Sequence, residues 1–292
     1  MVCSRSRSLR RNPRRLRSLN NMRRIACVLA CIAVSVSAGA ASATPGHGAA
    51  APPLATTAAE VIERNVAARG GIEAWRKVDT MAWLGHLERT SKPGQSVPFA
   101  MQLKRPNLTR FELREQANDF TRIFDGSHGW KVRPAADGRP ETKSFAPEEV
   151  NFSRTEFVID GPLIDYQAKG VTADLDGIDM IDGRKAYRLS LILPSGAQRK
   201  VWIDTKTNLD IRCDRPATNP LKPGAPVSVY YRDYATVDGI KVPRSIETGV
   251  GAEAADKLVI AKILVNPKLD DGTFMPPTVP MRRGGHVRIP AN

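Results

Sequence analysis

Between Met81 and Val265 the apolar residues of this chain recur mostly every second position, in short runs separated by turn-forming residues. That spacing is the signature of half-buried β-strands. Met81, Trp83 and Leu87 share one face of a first run. Val97, Phe99, Met101 and Leu103 share one face of a second, with Ala100, Gln102 and Lys104 on the other. Phe111 and Leu113 then alternate against Arg110, Glu112 and Arg114, and further runs cover 119–125 and 130–132. After residue 177 the candidate strands are 178–181, 185–193, 198–204, 209–214, 226–236, 240–248 and 257–265. Lys92-Pro93-Gly94, Asp182-Gly183, Pro194-Ser195-Gly196, Lys206-Thr207-Asn208 and Asp238-Gly239 mark turns, the Asp-Gly pairs being the strongest hairpin signals. Such turns are too short for the crossovers that parallel strands need, so the sheet is antiparallel.

Two stretches follow helical spacing instead. Val61, Ile62, Val66, Ile72 and Trp75 predict a helix ending near Arg69, a Gly70-Gly71 turn and a second short helix through Trp75. Thr57 and Glu60 form a capping box at its start. A third helix is expected from about Pro147, with Glu148 and Glu149 in its first turn, stopped by Gly161-Pro162. The whole reads as a mainly β (α+β) domain over 58–275 with about eleven strands. A twisted open sheet of more than ~10 strands rarely stays flat. The expected architecture is therefore a curved antiparallel sheet, an incomplete β-barrel, with helices covering its concave face.

The net charge of +14 does not point to nucleic acid, because nine arginines and no acidic residue fall within residues 1–43, leaving +5 for the rest. Basic and acidic side chains are interspersed in that remainder, which is the pattern of a solvated surface. Residues 1–43 read as a signal peptide. Arg23 and Arg24 precede an apolar run that ends in Ala41-Ser42-Ala43, so cleavage is expected between Ala43 and Thr44 and the mature protein in the periplasm. The run of about 17 residues is at the lower limit for a permanent transmembrane helix, and none is expected. Val28-Leu29-Ala30-Cys31 resembles a lipobox, which keeps lipid anchoring at Cys31 as an alternative, and Met22 is an alternative start. Residues 44–57 read as a flexible linker and 276–292 as a coil tail. Cys213 is the one cysteine of the mature chain, so no internal disulfide is expected.

The sequence offers little to build catalysis from. His86 lies on the strand face opposite Trp83 and Leu87, and reads as solvent-facing. His128 lies in Asp125-Gly126-Ser127-His128-Gly129-Trp130, where contiguity argues for a Gly-rich hairpin over a triad, whose members converge from separate elements. Asp174, Asp176 and Asp179, like Asp204 and Asp210, read as turn carboxylates, and the spacing around Asp174 is too sparse for a calcium loop. No enzyme activity, metal site or cofactor is expected.

The stretch Glu60 to Gly71 followed by Trp75 and a strand starting at Met81 resembles the opening of the outer-membrane lipoprotein-sorting proteins, the LolA/LolB-like superfamily. Val201-Trp202-Ile203-Asp204, Thr207-Asn208-Leu209, Tyr230 to Tyr234, Asp238-Gly239-Ile240-Lys241-Val242-Pro243 and Asn266 to Phe274 are similar to the pattern of its C-terminal half. The resemblance implies an incomplete barrel whose concave face holds lipid acyl chains or a lipoprotein, without enzymatic chemistry. Trp83, Phe99, Met101, Leu103, Phe111, Leu189 and Leu191 are then the expected hydrophobic ligand-binding residues. Two other readings stay open. One is an interaction domain docking on an envelope protein through exposed Tyr230, Tyr231 and Tyr234, and the other a hydrolase using His128. Expression with the native leader should yield a mature protein whose N-terminal sequencing starts at Thr44. A start at Met1 or Met22 would remove the export reading.

Overall fold

The computed structural model describes residues 56–115, 118–156, 159–216, 226–250 and 256–277. The expected leader, almost all of the linker and the tail beyond Pro277 lie outside the described residues. Helix α1 (Ala58–Ala68) begins at the capping box, with the Thr57 hydroxyl accepting from the Glu60 N–H and the Glu60 carboxylate from the Thr57 N–H. Arg69 is its C-cap, and Gly70 and Gly71 turn the chain into α2 (Ile72–Arg76).

Six strands then run β1 (Thr80–Glu88), β2 (Ser96–Lys104), β3 (Leu108–Leu113), β4 (Phe120–Phe124), β5 (Gly129–Pro134) and β6 (Pro140–Ser144). After α3 (Pro147–Glu156) come β7 (Thr172–Ile181), β8 (Arg184–Ile192), β9 (Gln198–Asp204), β10 (Asp210–Arg215), β11 (Val227–Val237), β12 (Ile240–Val250) and β13 (Asp256–Val265). All thirteen belong to one antiparallel sheet in the order β6-β5-β4-β3-β2-β1-β13-β12-β11-β10-β9-β8-β7. Sequence neighbours pair throughout except at the centre, where β1 meets β13.

This order has a geometric consequence. Strands β6 and β7 follow one another in the chain yet form the two edges of the sheet. At ~4.8 Å between strands a flat sheet would hold those edges roughly 58 Å apart. Helix α3 supplies roughly 15 Å of the connection at about 1.5 Å per residue, and the rest, up to Val171, is largely turn. The sheet curls, and the connection crosses its concave side as a strap. Ile159 and Ile164 of the strap are buried beside Trp75, Met81, Phe99 and Leu103, while Leu163 is buried with Val61 and Ile62 of α1 against Leu189, Leu191 and Ile203.

Three departures from the sequence reading have local causes. There are thirteen strands where about eleven were expected, and the one that no run announces is β6, which reads Pro-Glu-Thr-Lys-Ser, an edge strand with no apolar alternation. Strand β7 starts at Thr172 and not at Ile178, its first half being largely exposed. It also carries Asp174, Asp176 and Asp179 within a strand and not at turns. Helix α3 is described over Pro147–Glu156, and Ile159 and Asp160, just before Gly161, are turn and not helix. On the convex side a 3-10 turn (Asp271–Phe274) buries Phe274 completely against Ile123 and Val132.

The helix corner docks on the β11–β12 turn through backbone alone. The Arg69 carbonyl accepts from the Lys241 N–H at 2.9 Å. Gly70 has φ 112°, and a Cβ there would stand 2.3 Å from the Gly239 carbonyl oxygen. Gly70→Ala therefore combines left-handed strain with a backbone clash and should cost about 2 kcal/mol or more, read as a lower urea midpoint. An unchanged midpoint would mean that the corner is not docked in this way.

Candidate functional site

Beneath the strap the concave face encloses a cavity of about 240 Å³. One wall is Trp83 of β1 with Met101 and Leu103 of β2. The other comes from β9–β12 and includes Val201, Cys213, Val229, Val242 and Ile246. Trp75 of α2 and the strap, through Ile159, Gly161, Pro162 and Leu163, add to the lining, and Arg199 and Arg215 of β9 and β10 contribute charged side chains to it. Most of this surface is hydrocarbon or aromatic ring.

A polar pole is built into it by two interruptions of strand alternation. In β10 the register with β9 slips between Asp210 and Arg212, so Ile211 packs on the convex side with Trp202 while both Asp210 and Cys213 face the cavity. In β11 Asp233 adopts φ 55°, and Tyr231 and Tyr234, three residues apart, both line the cavity. The Tyr234 hydroxyl donates to the Asp210 carbonyl at 3.0 Å. Burial, reinforced by the neighbouring Asp210 charge, pushes that hydroxyl well above the usual phenol value, so it stays a neutral donor.

Arg69 faces this pole from the end of α1 and is only 9% exposed. Its guanidinium lies 4.6 Å from the Trp75 ring centroid, its Nη1 donates to the Asp160 carbonyl at 3.1 Å, and its Nε stands 3.7 Å from an Asp210 carboxylate oxygen. At that last distance there is ion pairing but no hydrogen bond. The Nε–H group of Arg69 and the indole N–H of Trp83 are both buried without a hydrogen-bond acceptor.

The strap is held over the cavity by charge. The carboxylate of Asp160, 2% exposed, accepts from Arg105 at 2.8 Å and from Lys169 at 2.6 Å. Lys169 also donates to the Gly161 carbonyl at 2.8 Å, and burial lowers its ammonium from the ordinary lysine value despite the carboxylate. Asp165 receives two hydrogen bonds from Arg76 of α2, at 2.8 and 2.9 Å, and these hold its carboxyl below the usual 3.8. At the far side the Arg215 guanidinium of β10 lies 4.6 Å from the Phe152 ring of α3.

Of the seven residues expected from the sequence, Trp83, Met101 and Leu103 line the cavity. Phe99 and Phe111 pack against each other, ring centroids 5.9 Å apart, in the adjoining filled core. Leu189 and Leu191 are sealed under α1 and the strap. They share the concave face, but α1 occupies the space in front of them. Arg69, Asp210, Tyr231 and Tyr234 are cavity residues that alternation does not reveal. Only the position of Arg69 just before Gly70-Gly71 hints at a special role, whereas a register slip and a left-handed residue leave no pattern at Asp210 or Tyr234. The reading of Asp210 as a turn carboxylate is thereby corrected. Asp204 does serve as one, accepting from the N–H groups of Lys206 and Thr207. Tyr230, by contrast, is on the convex side, packed with Trp202 and between Arg212 and Arg232.

The other candidates sit elsewhere. The His128 ring is exposed, 3.6 Å from an Asp125 oxygen, and Asp125 also accepts the N–H groups of Ser127 and His128 as in a turn. His86 is half-buried and meets Glu88 at 3.2 Å. Asp176 and Asp179 are bonded by Arg188, with the Trp202 indole N–H also donating to Asp179 and helping to lower its carboxyl. Among the described residues no group of three or more His, Cys, Asp or Glu side chains is placed to hold a metal ion.

No protein-family model matches the chain, and no curated protein matches it in sequence. In structure it is similar to a DUF1329 family protein from Desulfovibrio piger (14% identity, TM-score 0.49, covering 75% of this chain and 97% of that one). It is likewise similar to a LolA superfamily protein from Nitrosomonas europaea (13% identity, TM-score 0.49, 76% and 99% covered). A domain from Vibrio parahaemolyticus named for outer membrane lipoprotein sorting is similar too (10% identity, TM-score 0.49, 74% and 94% covered).

Asp160→Ala strands two cations at the strap's root and should cost about 3 kcal/mol, measured by denaturant unfolding; a loss under about 0.5 kcal/mol would show that the network does not hold the strap. The Asp165 tie has a defined pH sense. Because folding lowers that carboxyl, its contribution is complete above the ordinary value of 3.8 and fades as pH falls through the folded value. Protection factors of the strap amides, corrected for intrinsic exchange, should fall in acid, and Asp165→Asn should remove that component.

Proposed function

We propose that this protein is an exported, non-enzymatic carrier in the cell envelope that holds a lipid-like chain in the concave cavity, in the manner that its sequence resemblance to lipoprotein-sorting proteins implies. The observation that carries the reading is the cavity itself. Side chains packed solid would have filled the space between strap and sheet, and instead about 240 Å³ stays open behind Trp83, Met101, Leu103, Val229, Val242 and Ile246. Burying hydrocarbon there gains about 0.8 kcal/mol per methylene without any directional contact. No helix among the described residues is long and apolar enough to cross a membrane. Periplasmic residence rests on the leader.

Size narrows the cargo. An engineered apolar cavity of ~150 Å³ accepts one benzene, so this one suits a single chain or part of one, with the remainder outside. The strap is the natural gate, since it joins the sheet's two edges and contributes Ile159 to Leu163 to the lining. An interaction domain with three exposed tyrosine anchors is less well supported, because Tyr231 and Tyr234 belong to the cavity wall. His128 does not line the cavity, which leaves a hydrolase without a substrate pocket there.

Val229→Trp puts an indole into the cavity. It should lower the affinity for a fluorescent single-chain acyl probe tenfold or more at a stability cost of about 1–3 kcal/mol. Native mass spectrometry of protein drawn from the envelope should show a bound lipid in the parent and none in the variant. Equal probe binding by both would place the ligand elsewhere, and no binding by either would end the carrier reading.

A further inference from the structure

We infer that the cargo is bound by its acyl group, with the carbonyl or carboxyl oxygens accepting hydrogen bonds from Arg69 Nε–H and Trp83 Nε1–H inside the cavity. This deepens the carrier reading and rests on it. Both residues line the same cavity, and their two N–H groups are buried with no hydrogen-bond acceptor on the protein. An unsatisfied buried donor is expensive, and few are found in native proteins. Two such residues lining one cavity give it a preference that hydrocarbon cannot meet.

The sign of that preference follows from the chemistry of the pole. The unsatisfied groups are donors, so the ligand must supply acceptors. Arg69 Nη1 and the Tyr234 hydroxyl already donate elsewhere, to the Asp160 and Asp210 carbonyls respectively. An acyl group carries two oxygens, enough for one bond to each free N–H, and a single alkyl chain attached to it suits the volume. Arg69 is held from three sides by the Trp75 ring, the Asp160 carbonyl and the Asp210 carboxylate. Its Nε–H is therefore fixed in place before the ligand arrives, and binding needs no reordering of the long side chain. Arg69 and Trp83 are positioning residues here, since no bond of the ligand is made or broken.

Three twelve-carbon probes separate the possibilities: dodecane, dodecanoate and methyl dodecanoate, each titrated against delipidated full-length mature protein by competition with the fluorescent probe. The oxygen-bearing probes should bind about tenfold or more tighter than dodecane. Trp83→Phe keeps the ring and removes the donor. It should cut the acyl preference, read as the ratio of dodecanoate to dodecane affinity, about fivefold, whatever the smaller ring does to all three probes alike. Arg69→Lys, which retains charge but loses the Nε–H, should act in the same direction, and the Trp83 variant decides the matter if Arg69→Lys does not fold. A ratio of dodecanoate to methyl ester above one assigns the cargo as a free acid, and a ratio below one as an ester. Equal binding of all three would overturn this inference and leave the carrier reading standing. So would a Trp83→Phe effect identical for all three probes. Failure of all three to bind would overturn both.

Discussion

The structure depends on one buried arginine at the end of the first helix. Arg69 joins three parts of the molecule that the chain separates widely: its carbonyl accepts from Lys241 of β12 and from the Trp75 indole, its guanidinium reaches the strap at Asp160, and its Nε faces Asp210 of β10. A guanidinium is hard to desolvate and is kept inside a protein only when partners surround it. Here those partners are the helix corner, the sheet and the strap, so burying Arg69 fixes their relative positions. The same constraint explains why the cavity has a polar pole at all.

The cavity's shape follows from topology. Consecutive strands at opposite edges oblige one connection to cross the full width of the sheet, and a curled sheet gives that connection a concave surface to lie on. Over β7–β9 the crossing segment and α1 together press down to close packing around Leu189, Leu191 and Ile203. Over β1–β2 and β10–β12 they stand off, and the space remains. The Asp160 carboxylate, with Arg105 and Lys169 on either side, anchors the strap at the boundary between these two regions.

Much of this was legible in the sequence. Alternation from Met81 onward gave the antiparallel sheet, the capping box gave the start of α1, and Trp83, Met101 and Leu103 were placed on the concave face because period two assigns each strand residue to a face. What alternation could not do was say which part of that face is open. Phe99 and Phe111 share the face of Met101 and lie in solid core. Nor could it survive the slip at Ile211 or the left-handed Asp233, each of which moves later residues to the other side. Asp210 and Tyr234 were misplaced for that reason.

The sequence by itself determined the class of sheet, its faces and its turns, because these depend on the spacing of residues close together in the chain. Only the tertiary structure decided that a cavity exists and that Arg69, Asp210 and Trp83 line it together. A void is the difference between the volume enclosed by distant elements and the volume their side chains fill. Residues 69, 83, 160 and 210 come together through long-range packing, and no local pattern encodes that sum.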